Sequence, residues 1–353
     1  MSPADPGCGR IIDNFRLDSL TGLIRAGELD LLTSLARLEE HEFSITSSSS
    51  SALSCSTKLR HHLADAALPY PSWAYLAYYK LGIWLIGGAH EQAPAMSLFI
   101  TDICNIIRSD KPTSPVAFGD PSLASERVWQ SVLNLFQEGG DFLYDLEAPS
   151  QHSLDHWCTQ ISAVHRLIAR LDPDLSVLMA QLQNLIILSA PGPRSQQAGI
   201  AFGGATCFFF RGATLLNASR PISKVQMLEL LVHEYAHAEL FVLGQEQPLC
   251  LNSDEERYPV LIRSDPRPMN GIIHSLYVVG RVVEILKKLL KDGIDGEPDR
   301  EVTLANAQDM LSKQLNFGRS SLRVVEQHAD LTQLGQSVLV KSRKRLAPVD
   351  STQ

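Results

Sequence analysis

The stretch Leu230-Leu231-Val232-His233-Glu234-Tyr235-Ala236-His237-Ala238-Glu239-Leu240 places two histidines and two glutamates inside an apolar run. Residues four apart on a helix project from nearly the same side, about 40° apart and one turn above each other. His233 and His237 can therefore direct both imidazoles at one metal ion, at a bond length of about 2 Å. Glu234 lies about 100° further around the helix, where it can reach a water on the metal or support a ligand.

Helix signals flank this H-E-x-x-H motif. Ser223 and Gln226 form a capping-box pattern, and Gly244 is a typical helix stop. Apolar residues recur between these ends at helical spacing. The motif is thus predicted to lie in mid-helix, where two imidazoles without a shared partner would be costly to bury. These features favour a metal site over two structural core histidines.

The composition excludes several functions. The chain has 353 residues and a net charge of −8, and we expect its one basic run, Lys341-Ser342-Arg343-Lys344-Arg345, to be a solvated helix end. The six cysteines are scattered without a C-x-x-C pair, which is typical of reduced thiols in the cytosol. No segment resembles a signal peptide, and the early apolar stretch 81–88 is too short to cross a bilayer. We therefore expect a cytoplasmic protein that binds neither nucleic acid nor membrane.

Periodicity divides the chain into four parts. They are a disordered N-terminus at 1–10, a helical region at 11–190, a catalytic region at 191–345 and a tail at 346–353. In the second part helices are predicted at 11–43, at 58–108 with a break at Pro69-Tyr70-Pro71, and at 122–139, 153–171 and 175–188. A Pro/Asp-rich linker is predicted at 109–121.

The pattern changes just before the motif helix. The stretches 200–202, 206–210 and 213–216 are strand-like and are separated by glycines, which predicts a small antiparallel sheet. Further helices are predicted after the motif at 272–290, 300–315 and 320–343. The expected fold is mainly α, with a small antiparallel β element next to a two-helix metal site. An edge strand beside such a site is a common means of holding an extended peptide.

A catalytic ion needs a third protein ligand. The metzincin class is excluded, because Leu240 and Leu243 stand where its motif requires Gly and His. The next helix carries four polar residues on one face at spacings of three, four and three: His274, Tyr277, Arg281 and Glu284.

Two kinds of third ligand remain open. Glu284 would give a gluzincin-like zinc site, and Glu255 or Glu256 is a less favourable source of the same carboxylate. His274 would instead complete three nitrogen ligands, which leave positions for substrate and oxygen.

The loop before that helix is doubly basic: Arg263-Ser264-Asp265-Pro266-Arg267-Pro268-Met269-Asn270-Gly271. Two prolines fix the backbone around Arg267. A guanidinium matches a carboxylate in a two-pronged contact, as binding of a dicarboxylate co-substrate requires and peptidase chemistry does not. The simpler alternative is salt bridges from these arginines to Asp265 or Glu256.

The motif, the segment from Arg263 to Tyr277 and the late segment Leu331-Thr332-Gln333-Leu334-Gly335 resemble the H-E-x-x-H putative peptide-modification domain. This family occurs near or fused to maturation enzymes of ribosomally synthesised peptides. Members have been recognised as iron(II)- and 2-oxoglutarate-dependent oxygenases that β-hydroxylate a precursor peptide. The match is strongest over residues 199–290, and the N-terminal half resembles the family only in being helical. The approach Pro259-Val260-Leu261-Ile262 lacks the aromatic residue expected there, so the modified residue is not carried over.

The resemblance implies that His233 and His237 bind iron, with His274 as third ligand, and that Arg263 or Arg267 anchors 2-oxoglutarate. It implies an oxidoreductase of natural product biosynthesis, whose partners are a precursor peptide and other peptide-maturation enzymes.

Three further residues complete the candidate set. Arg281 joins the cofactor-binding candidates, while Glu234 and Tyr277 are the catalytic candidates. The alternative function is a zinc metallopeptidase in which Glu234 is the general base.

Overall fold

The computed structural model describes residues 17–46, 55–64, 70–86, 93–108, 115–138, 145–199, 202–245, 247–261, 265–292 and 300–348. Several features predicted from the sequence lie wholly or partly outside these residues, among them the disordered segment 1–10, the linker 109–121 up to residue 114, residues 200 and 201 of the first predicted strand, Arg263, and most of the tail 346–353.

The described chain is mainly helical. Its helices are α1 Leu17–Thr46, α2 Cys55–Ala64, α3 Ser72–Ile86, α4 Ala93–Arg108, α5 Glu126–Glu138, α6 Gln151–Leu171, α7 Pro173–Leu182, α8 Pro193–Gln197, α9 Lys224–Leu243, α10 Met269–Asp292, α11 Arg300–His328 and α12 Gln333–Leu346. Its strands are β1 Val116–Ala117, β2 Leu146–Glu147, β3 Leu185–Pro191, β4 Gly204–Thr206 and β5 Ala213–Asn217, with a 3₁₀ turn at Phe208–Phe210. The predicted class, mainly α with a small β element, is confirmed.

The sheet is mixed and not purely antiparallel. Strand β4 pairs antiparallel with β5 as expected, but β3 runs parallel to both β5 and β1, and β2 pairs antiparallel with β3. The sequence predicted one helix over 175–188, whereas α7 ends at Leu182 and β3 begins at Leu185. This unpredicted strand makes both parallel pairs of the sheet. Every residue of β3 is buried, and its sequence, Leu-Ile-Ile-Leu-Ser-Ala-Pro, lacks the apolar–polar alternation that marks a half-exposed strand.

Two compact units interleave along the chain, whereas the sequence predicted one boundary near residue 190. The first unit comprises the described parts of 1–20, 159–178 and 222–353, and the second comprises those of 21–158 and 179–221. The sheet belongs to the second unit, and α9 to α12 belong to the first.

The second unit has an aromatic centre. Trp73 lies edge-on to Trp129 with ring centroids 5.7 Å apart, and Phe210 lies 5.5 Å from Trp73 on the other side. The 3₁₀ turn thus buries Phe210 against α3. This explains why the predicted strand 206–210 ends at residue 206.

In the first unit α10 packs against α9, α11 and α12. Of the described helices, α10 alone is apolar and long enough to span a bilayer, but 67% of its apolar window is buried, as in the core helix of a soluble protein. Two helices were predicted at 300–315 and 320–343, and two are present, but the break between them lies later, between His328 and Gln333, so residues 316–319 continue α11. Gly318 lies in its middle, and a Cβ there would lie 2.6 Å from Leu346 and 3.0 Å from Val279, so this glycine permits close helix packing without breaking the helix.

Candidate metal centre

The helix that carries the motif begins and ends as predicted. Gln226 N donates to Ser223 Oγ at 3.3 Å and Ser223 N donates to Gln226 Oε1 at 3.0 Å, which completes the capping box. Gly244 N donates to Leu240 O at 2.9 Å and ends the helix. The motif therefore lies in mid-helix, on a segment whose boundaries are fixed by local interactions.

Three imidazoles approach one another from α9 and α10. The ring centroids of His233 and His237 are 5.0 Å apart, and those of His237 and His274 are 6.3 Å apart. Phe241, one turn after His237, lies 6.4 Å from the ring of His237 and 5.8 Å from that of His274. An aromatic ring thus borders the histidines on one side.

These distances can be compared with those required by a shared ion. With nitrogen about 2 Å from a metal, two ligand rings at 90–110° have centroids about 4.5 to 5.2 Å apart. The His233–His237 pair fits this range, whereas the ring of His274 must move roughly 1 Å inward. Accordingly, the part of the chain that the structure describes contains no three His, Cys, Asp or Glu side chains already grouped at ligand distance.

The donor chemistry fits a metal. Burial lowers the pKa of His237 well below its ordinary value, and the neighbouring His233 and His274 lower it further. Burial lowers the pKa of His274 to about 4. Both rings are therefore neutral at pH 7, which is the form that binds a metal. Neither ring has a hydrogen-bond partner among the described residues, so their nitrogens remain available to an ion.

A carboxylate that sequence reasoning missed lies beside this set. Glu229 Oε1 is 3.6 Å from His233 Nδ1, and it accepts a hydrogen bond of 3.2 Å from Gln314 Nε2 on α11. The signal in the sequence was the spacing: Glu229 precedes His233 by four residues and shares its helix face.

The two catalytic candidates are both buried. Glu234 is 3% exposed on α9, and Tyr277 is 0% exposed on α10. Burial raises the pKa of the Tyr277 phenol, and the nearby Glu239 raises it further. The Arg345 guanidinium lies 4.9 Å from the centre of the Tyr277 ring. Tyr277 therefore belongs to a neighbouring charged cluster, described next.

The buried ion cluster consists of Glu239, Arg281, Glu284 and Arg345. Arg281 donates from Nε to Glu239 Oε2 at 2.7 Å, from Nη2 to Glu239 Oε1, and from Nη1 to Glu284 Oε2 at 3.1 Å. Arg345 Nε lies 2.9 Å from the same oxygen of Glu284. All three nitrogens of Arg281 are thus engaged by protein carboxylates, and Glu284 is held by two arginines.

Arg345 corrects the prediction that the basic run is a solvated helix end. Arg343 and Lys344 are exposed as expected, but Arg345 is buried against α10. Gly280 makes this possible, since a Cβ there would lie 3.3 Å from Arg345 Cδ. The close approach of α12 to α10 therefore places a guanidinium inside the protein, where Glu284 balances its charge.

Arg267 lies in the loop that leads into α10. A pair of hydrogen bonds of 2.9 and 3.0 Å between the main chains of Tyr258 and Arg267 holds this loop. Arg267 Nε is 2.9 Å from Asp265 Oδ2, as the simpler alternative predicted, and its side chain is 42% exposed. Its terminal nitrogens have no partner within the described ranges, so one edge of the guanidinium remains open to a ligand.

The late segment 331–335 secures the chain that follows α9. Leu251 N donates to Asp330 O at 2.8 Å, and Thr332 N donates to Leu249 O at 3.2 Å. A Cβ at Gly335 would lie 2.0 Å from Leu249 O, so only glycine fits there. This segment therefore has a structural role, because it ties the start of α12 to the loop after the motif helix.

The centre thus combines three imidazoles, of which those of His237 and His274 are neutral, an aromatic neighbour and a carboxylate next to His233, with an arginine in the loop leading into α10. No protein-family model matches this chain, and no curated protein is significantly similar to it.

Proposed function

We propose that this protein is a cytoplasmic iron(II)- and 2-oxoglutarate-dependent oxygenase that hydroxylates a side-chain Cβ of a ribosomally synthesised precursor peptide. The observation that carries the proposal is the approach of His233, His237 and His274 from two packed helices. When bound, iron and 2-oxoglutarate supply the oxidising chemistry, and the protein supplies ligands, orientation and exclusion of water. The resemblance to the peptide-modification domain gives the substrate class.

The nitrogen set favours this function over a zinc peptidase. A gluzincin-like site takes its third ligand from a Glu on the following helix, which here is Glu284. That carboxylate is engaged by Arg281 and Arg345, and their charges lower its pKa although burial alone would raise it. Freeing it would take the carboxylate of Glu284 away from the buried Arg345 and would leave Arg281 with Glu239 alone, which is unfavourable for a buried cation. His274 has no competing partner among the described residues and is the less costly ligand.

The protein's own residues would divide the remaining work. Phe241 would limit water on one side of the imidazoles, because its ring lies 6.4 Å from that of His237 and 5.8 Å from that of His274. Arg267 would bind the distal carboxylate of 2-oxoglutarate with its open edge, since a guanidinium pairs with a carboxylate through two parallel hydrogen bonds. Arg281 contributes indirectly through the buried ion cluster. Glu234 would act from within the helix by supporting the ligands or relaying a proton.

The experiment measures metal uptake and turnover. Protein purified without oxygen is loaded with Fe(II) and given 2-oxoglutarate, ascorbate and synthetic peptides encoded beside its own gene. We expect one Fe(II) per chain, succinate release, and a peptide mass gain of about 16 Da from one inserted oxygen atom. His274→Ala should abolish both products. His152→Ala is the matched control, because His152 is exposed on α6 and belongs to the second unit.

Two results would overturn the proposal. One is peptide cleavage that depends on zinc and is abolished by Glu234→Gln, which identifies a peptidase. The other is unchanged Fe(II) binding and turnover in His274→Ala. That result would show that the imidazole of His274 is not a ligand of the centre.

A further inference from the structure

We infer that Glu229 is a positioning residue that fixes the tautomer and ring orientation of His233, and that Gln314 holds Glu229 in place. The inference rests on the proposed metal centre, to which it adds a supporting contact from α11. Ligating histidines commonly donate their second ring N–H to a carboxylate, which fixes the ring and raises its basicity. Glu229 is the described carboxylate placed for this task.

The contact geometry supports that role. Glu229 Oε1 lies 3.6 Å from Nδ1 of His233, and a hydrogen bond formed between them would place the proton on Nδ1 and Nε2 toward the metal. The separation is longer than a hydrogen bond, and a shift of about 0.7 Å closes it.

A simple surface ion pair would not need a third partner. Exposed pairs four residues apart on a helix are weakly stabilising and adopt many geometries. Here the same oxygen, Oε1, accepts a hydrogen bond from Gln314 Nε2 at 3.2 Å, and Gln314 is a buried amide on another helix. Glu229 is only 21% exposed and His233 33% exposed. The carboxylate is therefore fixed from two sides.

Glu229 is better placed as a support than as a ligand. The residues Glu229, His233 and His237 rise one turn at a time along one face of α9, with Cα atoms about 6 Å apart per step. An ion shared by His233 and His237 lies between those two turns, whereas Glu229 lies beyond His233 on the far side. The carboxylate can thus reach the ring of His233 more readily than the ion itself.

The first measurement is a Co(II) titration without oxygen, followed by visible absorption. Glu229→Ala should weaken Co(II) binding roughly 10- to 100-fold, the usual effect of losing such a contact. Glu229→Gln keeps an acceptor oxygen and should recover part of the loss, and Gln314→Ala should cause a smaller loss than Glu229→Ala. Glu326→Ala is the matched control, since it removes an exposed carboxylate from α11.

The second measurement uses metal-free protein with ¹⁵N-labelled histidine rings. NMR should show His233 protonated on Nδ1 in the wild type and in Glu229→Gln, and shifted toward the Nε2–H form in Glu229→Ala. The His233→Gln variant assigns the signal.

The outcomes separate this inference from the proposed function. The positioning role is overturned if Glu229→Ala binds Co(II) as tightly as the wild type and Glu326→Ala do, and if His233 keeps its tautomer in Glu229→Ala. That result leaves the metal centre intact. A wild-type protein that takes up no Co(II) refutes the metal centre, and the tautomer measurement alone then decides the contact between Glu229 and His233.

Discussion

Replacing Glu239 by Gln should destabilise the protein by about 3 to 5 kcal/mol, the range for breaking a buried ion pair by removing one partner. Glu239 is 1% exposed and binds two nitrogens of Arg281, whose own side chain is 11% exposed. The variant leaves this cation with Glu284 as its remaining carboxylate. Arg281 does not respond by losing its proton, because a guanidinium stays charged in proteins even when it is buried.

The pKa of Glu239 gives a second value for the stability that this carboxylate contributes. Burial alone would raise it, but Arg281, and then Arg345 and Lys341, lower it from 4.5 to about 2. At about 1.4 kcal/mol per tenfold change, this gap corresponds to roughly 3 kcal/mol of stability. Because the folded state has the lower pKa, the contribution is complete above about pH 4.5 and is lost as the pH falls toward 2. The difference between wild type and Glu239→Gln should therefore be largest near neutrality and shrink in acid.

Urea unfolding at several pH values, followed by the helical circular dichroism signal, measures both effects. Glu326→Gln is the control, since it removes the same charge from an exposed pair with Arg343 and should cost less than about 1 kcal/mol. The reasoning fails if Glu239→Gln is no less stable than this control at pH 7. It also fails if the difference between wild type and Glu239→Gln does not shrink between pH 5 and pH 3.

Three other variants test the close contacts at two glycines and the burial of one lysine. Gly335→Ala should cost at least about 2 kcal/mol or displace the loop at Leu249, because its Cβ would lie 2.0 Å from Leu249 O; hydrogen exchange at that loop checks this. Gly212→Ala should destabilise more than Gly119→Ala in thermal unfolding, since both have φ near +80° but only the Cβ at 212 meets crowded side chains; equal losses would leave backbone strain as the sole cause. Lys341→Met should stabilise the protein by about 1 kcal/mol or more, because burial, and then the nearby guanidiniums, lower the Lys341 pKa to about 6. That gain should be largest below pH 6, where the buried amine is charged, and should vanish above about pH 10.5, where it is neutral in both the folded and the unfolded chain. Urea unfolding at several pH values measures the gain, and a gain that does not depend on pH would show that the buried charge is not its cause.

Local signals predicted the motif helix well. Its capping box, its apolar spacing and the stop at Gly244 all act within a few residues of one another, so the sequence contains the whole interaction. Local spacing also placed His274 near the start of the next helix, whereas its choice over Glu284 as third ligand came from the family resemblance. These features needed no knowledge of distant packing.

Features that depend on distant packing were missed. Strand β3 has no alternation because both of its faces are covered by other elements. Helix α11 continues through Gly318 because that glycine meets α10 and α12, where local propensity would suggest a break. Gln314 lies 85 residues from its partner Glu229, and no pattern in the sequence relates the two. In each case the deciding contact comes from another part of the chain.

The buried ion cluster and the imidazoles lie on different faces of α9, whereas Arg281 and His274 share one face of α10, and we expect the cluster to have a role beyond stability. Glu239 follows His237 by two residues, about 200° around α9, and Arg281 follows His274 by two turns on α10. A rotation or shift of α9 against α10 would therefore break the pair between Glu239 and Arg281 as it separated the rings. Burying such a pair costs desolvation free energy, and the best-attested benefit of a buried ion pair is that it specifies one packing arrangement. Co(II) titration of folded Glu239→Gln distinguishes the two roles: weakened binding indicates that the cluster sets the position of His274, and wild-type affinity limits it to stability.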